Sequence, residues 1–60
     1  MGLNGKTLHR ILLVEDDPFV SALSAAFLKK HYDVAVATDA ATALKTLTRH
    51  RFELVLLDLG

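Results

Sequence analysis

The chain has no cysteine and no tryptophan, and it has a single proline and only three glycines in 60 residues. Without cysteine there is neither a disulfide framework nor a thiolate metal site. No stretch approaches the roughly 20 apolar residues that a membrane span needs. The polar start MGLNGK lacks the apolar segment of a secretory signal. Charge of one sign is lacking too, since seven basic residues balance seven acidic ones. A nucleic-acid or membrane surface built on bulk charge is therefore not expected. These absences make a cytoplasmic location the default expectation, with no membrane and no direct nucleic-acid partner. Length sets a further bound, because a chain of ~60 residues buries only about 60% of its unfolded surface and is marginally stable alone. With disulfides excluded, metal binding and oligomerisation remain as sources of extra stability.

What is present has the composition of one small globular domain, 52% hydrophobic and 23% charged. Residues 1–8 have glycines at positions 2 and 5 and no periodicity, which predicts a flexible leader before a single domain over 9–60. Ile11-Leu12-Leu13-Val14 is an unbroken apolar run of strand length that ends in Glu15-Asp16-Asp17. Asp17-Pro18 signals a helix start, an acceptor at the cap followed by proline at the first helical position. The helix is expected over about 18–30, with Val20, Leu23 and Phe27 on its packing face and Lys29, Lys30 and His31 at its close. Val34–Ala37 predicts a second strand. Thr38 or Asp39 then caps a second helix, in which Ala40, Ala43, Leu44 and Leu47 recur at i, i+3, i+4 and i+7. Arg49, His50 and Arg51 end that helix, and Leu54–Leu57 forms a third strand. Continuous apolar runs, rather than alternating ones, point to strands covered on both faces. The whole reads as an α/β fold, a βαβαβ unit around a parallel sheet.

The acidic residues fall where such a fold places its chemistry. Parallel strands joined by right-handed crossovers end at one edge of the sheet, and the ligand site of a doubly wound sheet lies there. Glu15 and Asp16 leave the first strand at that edge, and Asp58 leaves the third. With strand order 2-1-3 the first and third strands are neighbours and these carboxylates converge. Crowded carboxylates repel one another and burial raises their pKa values, which a hard dication such as Mg²⁺ relieves. Asp58 could then attack phosphorus as a carboxylate nucleophile while the metal neutralises the transferring group.

The stretches ILLVEDDP and LVLLDLG, with the helix between them, resemble the receiver domain of two-component response regulators, a flavodoxin-like fold. The resemblance runs from about Arg10 to Gly60 and corresponds to the N-terminal half of such a domain. It implies that Asp58 is the phospho-acceptor and Asp16 a direct Mg²⁺ ligand. It implies further that Glu15 is the other acidic metal position and that the Gly60 carbonyl completes the site. The implied partner is a sensor histidine kinase or a phosphotransfer protein. The family's second half carries a hydroxyl residue and a lysine that read out phosphorylation. Neither has a counterpart in this sequence, so the resemblance implies a truncated or half-domain chain that accepts phosphate but does not switch and is not itself a turnover enzyme. The glycine common after the family's first helix is replaced by Lys30-His31-Tyr32-Asp33.

Two rival readings remain. One is a non-catalytic assembly module, with the third strand as an open apolar edge that pairs with another copy or a complementary half-domain. The other is a haloacid-dehalogenase-like phosphatase, whose Asp-x-Asp after the first strand Glu15-Asp16-Asp17 does not supply. Asp17 is expected to serve as a cap, and His9, His31 and His50 to be solvated. Ser21 and Ser24 are expected on the helix surface, and Phe19, Phe27, Tyr32 and Phe52 in or beside the core.

Overall fold

The computed structural model describes residues 9–58, which form five elements in alternation. They are β1 (Arg10–Glu15), α1 (Pro18–Leu28), β2 (Asp33–Ala37), α2 (Ala40–Arg49) and β3 (Leu54–Asp58). The expected leader over 1–8 lies outside the described residues. All pairing is parallel, in the order β2-β1-β3, the expected partial flavodoxin-like arrangement. Two backbone bonds lead into the ladders, Asp33 N to His9 O at 2.9 Å and Glu53 N to Arg10 O at 2.8 Å.

The central strand is the core. Ile11 through Glu15 are all buried, with Leu12 and Val14 fully so. Leu12 and Val14 cluster with Ala37 and with Ala43 of α2, and Ala35 and Phe52 pack alongside. Leu13, pointing the opposite way as alternation along a strand requires, lies instead beside Leu23, Phe27 and Leu28 of α1. The two helices therefore cover opposite faces of the sheet. Among the described residues no helix is long and apolar enough to cross a membrane.

Both helix starts follow the expected chemistry. The Asp17 carboxylate accepts from Phe19 N at 2.9 Å and Val20 N at 3.2 Å, with Pro18 next in line. Asp39, not Thr38, caps α2 by accepting from Thr42 N at 2.7 Å. The end of α1 differs from expectation, since it stops at Leu28 with Lys29 as its cap. A tight turn follows, with His31 N bonded to Leu28 O at 3.0 Å and Tyr32 N to the same oxygen at 2.9 Å. One carbonyl thus receives both donors, and the chain reverses into β2 without a glycine.

Burial departs from expectation more widely. Among the described strands only β1 is covered on both faces; β3 is largely open, with Leu57 68% exposed. Val20, Leu23, Phe19 and Phe27 are exposed rather than packed, Phe19 at 72% and Phe27 at 65%. Helical periodicity marks these residues as one apolar face, and no element among the described residues lies over it. Ser21, expected on the surface, is buried because its hydroxyl is satisfied internally, donating to Pro18 O at 3.0 Å. His9 is exposed but not simply solvated, since its Nδ1 lies 2.6 Å from Glu53 Oε2.

Candidate acidic site at the sheet edge

The C-terminal ends of β1 and β3 bring two carboxylates side by side. Glu15, the last residue of β1, is in register with Asp58, the last residue of β3. Parallel neighbours in register direct their side chains to the same face, so this pairing follows from strand geometry alone. Glu15 is only 5% exposed, whereas Asp16 and Asp58 face solvent. Glu15 Oε2 accepts the backbone N–H of Asp17 at 3.0 Å, which ties the strand exit to the start of α1. Asp17 turns its own carboxylate to the helix and stays out of the acidic group.

The electrostatics of Glu15 record the crowding. The Asp17 N–H, its strongest single influence, holds its pKa down. Burial, the Asp16 side chain and the charge and side chain of Asp58 together outweigh it, and the pKa lies above its ordinary value. Glu15 is thus in electrostatic contact with both expected partners. Among the described residues, however, no three carboxylate or histidine groups close into a metal-holding cluster. Glu15 accepts the Asp17 amide, and Asp16 is exposed. Gly60, expected to add its carbonyl, lies outside the described residues.

The donor set nevertheless suits a hard dication. All three of its described members are carboxylates, and the pKa of Glu15 is raised by burial first and then by the neighbouring Asp16 and Asp58, a setting that positive charge would ease. Glu15, Asp16 and Asp58 are the described residues that could hold such an ion, and the Asp58 side chain is exposed.

Asp58 has a second neighbourhood that sequence reasoning did not identify. It forms one end of an open apolar groove of about 610 Å³ between α1 and β3, lined also by Leu13, Leu23, Phe27 and Leu56. The periodic apolar residues of α1 were the sequence signal for this groove, although they pointed to packing rather than to an open face.

Comparison with known proteins agrees with this geometry. A family model described as "Response regulator receiver domain" matches residues 11–60. "Transcription factor SKN7" of Saccharomyces cerevisiae is 42% identical over 50 residues, a match covering 82% of this chain and 8% of that protein. The chain therefore spans a small part of the curated relative it matches. No solved structure matches at comparable stringency.

Proposed function

Because the chain belongs to the response regulator receiver domain family, we propose that it is a phosphoryl-accepting segment of a two-component response regulator, with Asp58 as the acceptor. The observation that supports this most directly is the in-register pairing of Glu15 with Asp58 at the C-terminal edge of the parallel sheet.

In this reading Glu15, Asp16, Asp58 and the Gly60 carbonyl hold Mg²⁺. When bound, the ion neutralises charge on the phosphoryl oxygens and on the carboxylates around them. A carboxylate oxygen of Asp58 attacks phosphorus, and the P–N bond of a donor phosphohistidine breaks. The donor imidazole leaves with the electron pair and takes up a proton. Glu15, fixed by the Asp17 amide, keeps the Asp58 flank polar and negative, which draws the cation to this edge. The partner is a sensor histidine kinase or a phosphotransfer protein, and the reaction belongs to the cytoplasm.

The test is incubation of the full chain with Mg²⁺ and acetyl phosphate, followed by intact-mass measurement. One added phosphoryl group is expected, removable by hydroxylamine and missing in Asp58→Asn or when Mg²⁺ is chelated. Labelling that survives Asp58→Asn would defeat the assignment.

A second reading is favoured by a separate observation, the exposure of Leu23 (59%), Phe27 (65%) and Leu57 (68%). Here the chain is an assembly module that forms a homodimer, or joins a complementary half-domain, through the open β3 edge and the α1 face. Sedimentation velocity at rising concentration tests it, and a persistent compact monomer would rule it out.

A further inference from the structure

A second cavity, of about 450 Å³, lies between α2 and the N-terminal edge of the sheet, remote from the acidic edge. The chain as a whole is electroneutral, yet every charged residue lining this cavity is basic: Arg10, Lys45 and Arg49, with His50 beside them. The segregation arises from topology. Arg10 opens β1, and α2 runs back along the sheet so that Arg49 ends near the strand starts. Positions 42, 45, 46 and 49 of α2 recur at i, i+3, i+4 and i+7, so a polar face separate from the one carrying Ala43 overlooks the cavity.

Arg10 is held ready. Its guanidinium carbon sits 5.1 Å from the centroid of the Phe52 ring. Its Nε lies 3.2 Å from Asp33 Oδ2, but is buried without a hydrogen-bond partner among the described residues. The Asp33 carboxylate thus faces Nε and partly balances the Arg10 charge. Of the nearby acids, Asp33 pairs with the Arg10 side chain, Glu53 accepts the Arg10 backbone N–H at 3.1 Å and lies against His9, and Asp39 is committed to capping α2 through Thr42. Lys45 and Arg49 make no ion pair among the described residues. The α2 C-terminus carries partial negative charge, which Arg49 in its last turn offsets.

We propose that this cavity binds a small organic oxyanion carrying more than one negative charge, held by Arg10, Lys45 and Arg49. Arginine forks match phosphate and carboxylate oxygens alike. The volume falls within the roughly 300–1,000 Å³ of small-molecule sites and exceeds what a bare phosphate needs. The Phe52 ring supplies an apolar wall for a carbon skeleton. This inference is independent of phosphoryl acceptance at Asp58.

The test titrates the ¹⁵N-labelled full chain at low salt, with metal chelated, using pyrophosphate in one arm and citrate in the other. Saturable shifts confined to residues 42–52 and Arg10 are expected, fading as salt is raised. The arm that binds tighter identifies the anion as phosphate-bearing or carboxylate-bearing. Lys45→Gln with Arg49→Gln should weaken binding about tenfold or more, while Asp58→Asn leaves it unchanged. No saturable shifts in either arm, or shifts spread equally over Lys29 and Lys30, would overturn the proposal. So would undiminished binding by the double variant. Should that variant not fold, the shift map and salt dependence of the unaltered chain decide.

Discussion

At the scale of the residue, carboxylates of the same chemistry take opposite shifts from their surroundings. Glu15 has its pKa raised because burial, Asp16 and Asp58 outweigh the stabilising Asp17 amide. Asp39 has its pKa lowered, first by the Thr42 backbone N–H and then by the Thr42 side chain. Glu53 is lowered by its bond to His9 and by the Arg10 amide. Linkage turns these directions into opposite effects on stability. The contribution of Glu15 is fully present below its ordinary 4.5 and is lost as pH rises through its folded-state value. Glu15→Gln should therefore raise the urea midpoint at neutral pH and converge with the unaltered chain in acid; an unchanged or lower neutral midpoint would refute the crowding. The contributions of Asp39 and Glu53 are present above their ordinary 3.8 and 4.5 and are lost as pH falls through their folded values. Asp39→Asn should accordingly flatten the acid limb of the stability profile measured by circular dichroism. The identities of the carboxylates at the sheet edge were legible in the sequence, because strand length and parallel order determine where residues 15 and 58 fall. Their protonation balance was not, since it depends on where one amide points.

At the scale of the element, helix starts were easier to read than helix ends. Aspartate followed by proline at 17–18 and Asp39 before an apolar period are local signals, and both caps form as those signals require. Replacing Asp17 by alanine should cost about 1 kcal/mol in a urea titration, and Asp17→Ser should recover most of it. The end of α1 was read two residues too long because Lys29 and Lys30 favour helix and carry the charge expected of a last turn. The tight turn onto the Leu28 carbonyl ends the helix before them. The basic cavity was illegible for another reason. Arg10 and the 42–49 face of α2 meet only when β1 and α2 are brought together, and helix-end cations in sequence look like solvated charge.

At the scale of the whole molecule, β1 is the one strand flanked on both sides. Leu12, fully buried at its middle, should be the most sensitive apolar position. Leu12→Ala is expected to cost about 3 kcal/mol, a large share of the ~5 kcal/mol available to a small domain. Thermal unfolding monitored by circular dichroism would reveal it as loss of a cooperative transition. Parallel pairing was predictable from the run-helix-run pattern and order 2-1-3 from the family resemblance, but the coverage of the sheet was not. An apolar stripe in a sequence says that a face seeks company; it does not say that the company is in the same chain. Phe19 and Phe27 illustrate that distinction.

The long trough between α1 and β3 terminates at Asp58. One carboxylate therefore belongs to two districts, an oily one and an ionic one. Any tenant of the trough strips water from one flank of that side chain and makes its negative charge harder to bear unaided. Under the proposed cation site at Asp58, occupancy on the greasy side would then sharpen the appetite for the ion on the other, coupling the two through a single shared wall with no moving part between them.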